Sequence, residues 1–164
     1  MRKIKIIGDN YFGFYRQIRE ASRGVVIDCN NILVSFERKN EQYMLPGGGL
    51  EKHESLKDCC VREVQEETGY IVEVKKHVLD IEEYYEDCRY ITHYFLCEVK
   101  GKTNTNLTDT EKEEGLVPRW VPSLNLLDRF SKHETYRDTN EERRGMYLRE
   151  YTALISILGF DYGK

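Results

Sequence analysis

The sequence predicts an α+β sandwich. Three observations carry that expectation: a series of short apolar runs with strand-like alternation, a capped amphipathic helix near the middle of the chain, and a second one at its end. No repeat and no low-complexity tract interrupts the 164 residues. One domain over 1–164 is therefore expected, with 123–164 a helical extension of the same domain.

Taken in order, Ile4 and Ile6 alternate with Lys3 and Lys5, a short half-exposed strand. Gly24–Cys29 and Ile32–Phe36 are apolar runs joined by Asn30-Asn31; asparagine tolerates positive φ, so a tight hairpin is expected. Tyr43-Met44-Leu45 stops at Pro46, and Pro46-Gly47-Gly48-Gly49 reads as a loop. Ser55 offers an N-cap with Asp58 three residues on, and Gly69 a C-terminal stop, bracketing a helix over about 56–68. Ile71–Val78 and Tyr90–Val99 follow as strands. Val117–Val121 around Trp120 is another, set between a charged loop, Glu111–Gly115, and Pro122. Thr139 with Glu142 makes a capping box before a helix over about 140–158, whose Tyr147, Tyr151, Leu154, Ile155 and Leu158 form one apolar stripe.

Composition excludes several classes. Lys and Arg number 25 against 29 Asp and Glu, a formal net charge of −4, so the chain is no polycation for nucleic acid. With 40% hydrophobic residues and 12 tyrosines it has the material for a core. No stretch reaches the ~18 apolar residues of a membrane span, and Met1-Arg2-Lys3 is not followed by the apolar segment of a secretion signal. The five cysteines, Cys29, Cys59, Cys60, Cys88 and Cys97, are odd in number and lack a C-x-x-C pair. They predict a reducing compartment, the cytoplasm, rather than a disulfide framework or a zinc ribbon. No nucleic-acid or membrane partner is expected. The sequence carries no signal for oligomeric state, and a homodimer is compatible with it.

The chemistry concentrates between Gly48 and Tyr70. The expected helix carries Glu63, Glu66 and Glu67, which at about 100° per residue share an arc of roughly 100°. Like charges about 6 Å apart repel by ~0.7 kcal/mol in water and by nearer ~3 kcal/mol at an effective dielectric of 20. Such a face is either left solvated or supplied with a cation. An all-carboxylate donor set suits hard ions, Mg²⁺ or Mn²⁺, rather than zinc. The glycine triplet before the helix admits close approach of backbone to a ligand. Leu56, Cys60 and Val64 form an adjacent apolar row that can dock the helix on a sheet, making a rigid metal platform for phosphate chemistry.

This segment resembles the Nudix box, G-x5-E-x7-R-E-U-x-E-E-x-G-U, where U is a bulky aliphatic residue. Gly48, Glu54, Arg62, Glu63, Glu66, Glu67 and Gly69 occupy its seven fixed positions and Val64 the first U; Tyr70 departs at the second by being aromatic. A chance match in this composition is on the order of one in 10⁵. The likeness extends to Tyr43-x-Leu45-Pro46-Gly47-Gly48 and to the strand around His93-Tyr94-Phe95, while the last forty residues match no motif.

The resemblance implies a Nudix-type α/β/α sandwich with a mixed sheet, and a Mg²⁺- or Mn²⁺-dependent hydrolase that cuts a diphosphate linkage in a nucleoside diphosphate joined to a group X. Glu63, Glu66 and Glu67 match the metal ligands and water-activating carboxylates, Glu54 the outer metal-linked acid, and the Gly48 carbonyl a further ligand. Arg62 matches the arginine that orients a box carboxylate, Glu66 being four residues on. Arg38 matches a basic position that reaches a substrate phosphate. Family members also place a glutamate on the loop before the Trp120 strand as base or ligand. Glu111, Glu113 and Glu114 are the candidates, and Glu114, beside the freedom of Gly115, is the choice. A nucleoside triphosphate is the leading substrate class. Nucleotide sugars including ADP-ribose, and dinucleoside polyphosphates, are alternatives, as is a non-catalytic nucleotide-binding module.

Other conspicuous residues have plainer readings. Cys59 and Cys60 are expected to be buried packing. Tyr11, Phe12, Phe14 and Tyr15 are read as core or interface, Tyr84 and Tyr85 as a tyrosine-rich loop. Arg137, Arg143 and Arg144 are read as a solvated helix start.

Overall fold

The structure, a computed structural model, describes residues 1–159, so the last positions of the expected 123–164 extension lie outside the described residues. Its strands are β1 (Arg2–Ile7), β2 (Gln17–Asp28), β3 (Asn31–Glu37), β4 (Gln42–Met44), β5 (Gly47–Gly49), β6 (Tyr70–Tyr85), β7 (Cys88–Lys102) and β8 (Leu116–Pro122). The helices are α1 (Leu56–Thr68), α2 (Asp109–Glu114), α3 (Ser123–Ser131) and α4 (Glu141–Leu158), with a 3₁₀ turn over Lys132–Tyr136. The sheet runs β1-β6-β7-β2-β3-β4, with β5 pairing β2 and β8 pairing β3. It is mixed: β1 with β6 and β2 with β7 are parallel, and the other ladders are antiparallel.

Strand β2 alternates between two cores because successive side chains leave opposite faces of a strand. Val26 joins Leu33, Cys60, Val64, Val72, Phe95 and Cys97 under α1, while Val25 joins Ile32, Val34, Leu79, Ile81, Tyr94, Leu126, Phe130, Tyr147 and Leu154 under α3 and α4. The result is the expected helix-sheet-helix layering. Each buried Val, Leu or Phe contributes about 1.5–3 kcal/mol, so α1 is pinned by its apolar row and its carboxylate face is left to the site. Its ends are set locally. The Ser55 hydroxyl accepts from Asp58 N–H, and Gly69, at φ 74°, closes the last turn. A cap of the Ser55 kind is worth about 1 kcal/mol.

Several expectations are corrected. The hairpin turn is Cys29-Asn30, both at positive φ, with Asp28 facing Asn31, one residue earlier than Asn30-Asn31. Gly47–Gly49 is a strand, because β2 offers it a free edge where it parts from β3. The Glu111–Gly115 loop is mostly the short helix α2, capped by a Thr108–Glu111 box. Asn140, not Thr139, caps α4 by accepting from Arg143 N–H. Helix α3 had no signal beyond the charged and apolar mixture that follows Pro122. Phe12, Phe14 and Tyr15 are exposed, which removes the core half of the core-or-interface reading. Arg144 is buried between Glu134 and Glu141 instead of solvated. Cys59 and Cys60 are buried, as read. No helix among the described residues is long and apolar enough to cross a membrane.

Candidate active site

Where β2 leaves β3 and takes up β5, the sheet opens a gap, and the polar face of α1 lies against it. Glu67 points in. Its Oε2 accepts from the Ser35 hydroxyl at 2.5 Å on one side of the gap and from Gly47 N–H at 3.3 Å on the other. Glu67 is buried, and burial raises its pKa to about 8 against the pull of Ser35 and Arg23. Glu63 is raised too, chiefly by burial, with Arg62 opposing. Its carboxyl lies where a Cβ on Gly48 would come within 2.5 Å of it, so any larger residue there would force the Glu63 carboxyl to shift.

Arg62 ties the cluster together. Its Nε and Nη2 donate to the two oxygens of Glu54 at 2.7 and 2.9 Å, a bidentate pair. Nη1 donates to Glu63 at 2.7 Å and to Glu66 at 3.2 Å, and Nη2 also reaches the Gly49 carbonyl at 3.2 Å. The helical i+4 contact with Glu66 is thus present but is the longest of its carboxylate contacts; Glu54, from the loop before α1, is the main partner. The Arg62 guanidinium holds the Glu54 carboxyl down to about 2. One cation serves three carboxylates, and Glu67 is the fourth.

The loop glutamates divide. The charge of Glu111 adds to the upward shifts of both Glu63 and Glu67. Glu114, the sequence choice, instead faces Glu37 and Lys39 and is raised mainly by burial. Glu111 is the first-turn acid of α2, its carboxylate accepting from Thr108 N–H at 2.7 Å, and Glu114 closes the same short helix three residues on. Glu113 is exposed. Arg38 is exposed and lines a concavity of about 490 Å³ with Phe36, Glu41, Tyr43, Arg119 and Arg129. Two residues that spacing could not disclose also belong here. Ser35 comes from β3, and Arg23 from β2 packs its side chain against Gly47 and acts on the charge of Glu67.

The donors fit a divalent cation. Two carboxylates held largely out of water, with raised proton affinity, and two more arranged around one arginine leave excess negative charge that a hard ion would neutralise. Glu63, Glu66, Glu67, the Gly48 carbonyl and Glu54 are the groups able to hold it.

On the face beneath α4, a cavity of about 510 Å³ is lined by Arg19, Arg23, Glu83, Tyr85, Tyr90, Glu142 and Arg149, among others. Arg23 Nε and the Tyr85 hydroxyl are buried there without hydrogen-bond partners, although Arg23 Nε lies 3.5 Å from Glu150. Arg23 therefore connects this cavity with the carboxylate gap.

Residues 18–141 match the NUDIX domain family. Among solved structures, the chain is similar to a NUDIX hydrolase from Nitrosomonas europaea at 19% identity and a TM-score of 0.57, over 84% of this chain and 90% of that one. It is similar to an ADP-ribose pyrophosphatase from Streptococcus suis at 18% identity and a TM-score of 0.54, over 89% and 96%. The ORF135 protein of E. coli aligns at 18% identity with a TM-score of 0.53, over 68% and 79%. At these identities the structural matches speak for the fold.

Proposed function

The chain belongs to the NUDIX domain family and is a phosphohydrolase of that family, and we propose that it cuts the diphosphate linkage of a nucleoside diphosphate joined to a further group, with Mg²⁺ or Mn²⁺ as cofactor. The observation that carries this reading is the convergence of Glu54, Glu63, Glu66 and Glu67 on Arg62 and the Gly47–Gly49 strand. When bound, a divalent ion at these groups neutralises phosphate charge and lowers the pKa of water.

The chain's own residues do the rest. Arg62 sets the rotamers of Glu54, Glu63 and Glu66, so the donors need no reorganisation when substrate arrives. Glu67, fixed by Ser35 and Gly47, is the carboxylate aimed into the gap, and it can take a proton from the attacking water where a bound cation would keep it ionised. Water oxygen bonds to phosphorus, the bridging P–O bond breaks, and the leaving phosphate departs on its own charge. In this reading Glu111, whose charge acts on both Glu63 and Glu67, is the loop acid that shares that proton. Arg23 and Arg38 are the side chains offered to substrate phosphates.

A nucleoside triphosphate is the leading substrate class. Nucleotide sugars including ADP-ribose are the second reading, favoured by Glu83 and Glu142 in the cavity, which can accept from sugar hydroxyls. The test is a panel of about thirty nucleotides with Mg²⁺, with and without EDTA, read by released phosphate, pyrophosphate and nucleoside monophosphate. Pyrophosphate from triphosphates supports the leading class, and monophosphate from nucleotide sugars the second. Turnover that survives exhaustive chelation refutes the metal-dependent reading.

A further inference from the structure

A second cluster lies on the same sheet face as α1 but apart from the box carboxylates. His77 Nε2 is 2.6 Å from Asp80 Oδ1, and His93 Nδ1 is 2.7 Å from the same oxygen. The three atoms all lie within 4.8 Å of one another. Asp80 and His93 are register partners across β6 and β7. His77 is three residues before Asp80, a spacing that in a regular strand sends the two to opposite faces. The ladder slips between His77 and Leu79, leaving Val78 unpaired, and that bulge turns His77 back to the side of Asp80. Its ring is then held by stacking on Phe95, with centroids 4.4 Å apart.

Proton counting shows that two carboxylates call for positive charge at His93. His93 Nδ1 faces Asp80, and its Nε2 lies 3.2 Å from Glu20 Oε1 on β2. A neutral imidazole has one N–H and donates to only one of the two carboxylates, whereas a protonated ring donates to both. A metal cation on Nδ1 meets the same demand with a neutral ring: Nε2–H donates to Glu20, and Nδ1 shares the ion with Asp80. A carboxylate that orients the far nitrogen of a ligating histidine is the usual support of such a site.

We propose that His77, Asp80 and His93 form a transition-metal site, oriented by Glu20 and separate from the hard-ion carboxylates of the box. Two imidazoles and one carboxylate select zinc-like ions over Mg²⁺. Three protein ligands leave a further position open, and His77, with 26% of its side chain exposed, provides the entry. The site lies two ladder steps from the catalytic loop, since His93 pairs with Ser22 and Ser22 with Gly48, about 10 Å in all. Leu50 N–H, at the end of that loop, donates to the Glu20 carbonyl at 3.1 Å.

The test uses the metal-stripped full chain in millimolar Mg²⁺, titrated with Co²⁺ and followed by visible ligand-field absorption. Saturation at one equivalent, displacement by Zn²⁺, survival in Glu63→Gln, and at least tenfold weaker binding in His77→Ala are expected. His77→Ala should keep Mg²⁺-dependent hydrolysis, since it touches none of the box groups. No Co²⁺ bands, bands indifferent to His77→Ala, or bands lost in Glu63→Gln would each overturn the proposal. X-ray absorption of the Zn²⁺-loaded wild type decides the matter without a variant: two imidazole nitrogens support the site, and an all-oxygen shell refutes it.

Discussion

Replacing Glu67 by glutamine separates what the site costs from what it does. Glu67 is buried, and its pKa stands at about 8 against an ordinary 4.5. A carboxyl with a raised pKa contributes stability that is fully present below the ordinary value and is lost as pH climbs toward the folded one. Ionising this group therefore works against the metal-free fold. Between pH 4.5 and 7, at ~1.4 kcal/mol per unit, the loss comes to about 3 kcal/mol. Glutamine never ionises, and its amide oxygen still accepts from the Ser35 hydroxyl and Gly47 N–H. Urea unfolding in EDTA should find Glu67→Gln more stable than wild type by about 3 kcal/mol at pH 7, with the difference shrinking to nothing near pH 4. In Mg²⁺ the same variant should lose on the order of 10²–10³-fold in kcat, the effect of removing one strong electrostatic group. A stability difference that stays flat from pH 4 to 8 would refute the burial argument, and near-normal kcat would refute the catalytic one.

Other substitutions probe the neighbours. Gly48→Ala puts a methyl group within 2.5 Å of the Glu63 carboxyl, so kcat should fall at least tenfold, about 1.4 kcal/mol, while far-UV circular dichroism stays that of wild type; an active Gly48→Ala would show that Glu63 has room to move. Glu111→Gln should cut kcat at least tenfold and Glu114→Gln should not, because the charge of Glu111 reaches Glu63 and Glu67 whereas that of Glu114 meets Glu37 and Lys39; steady-state rates with the preferred nucleotide check the pair, and the opposite ranking would return the role to Glu114. Arg38→Ala should raise KM with little change in kcat if the contact is equal in ground and transition states, and unchanged kinetics would make Arg38 a surface charge.

Seven box positions, a capped helix and a carboxylate stripe were legible because they are local. Helix geometry converts spacing directly into a shared face, so Glu63, Glu66 and Glu67 meet wherever the helix docks. The Arg62 contact with Glu66 was legible for the same reason, whereas its stronger pair with Glu54 needed the loop to fold back. Strand ends were misjudged where pairing, not composition, decides: Gly47–Gly49 has no strand signal of its own and is a strand only because β2 presents an edge. Between Glu111 and Glu114 a sequence offers only the freedom of the neighbouring Gly115, whereas the capped helix that carries both appears only in the fold.

By itself, then, the sequence determined the family, the layered fold and the identity of the box groups, all of which follow from residue type at short range. Tertiary structure decided their electrostatics. Ser35 stands 32 residues from Glu67 and Arg23 farther still, and His93 meets Asp80 only across a bulged ladder. Burial and charge act through space, so no spacing along the chain could have announced which carboxylate would be driven to hold a proton near neutral pH, or which two histidines would share an oxygen.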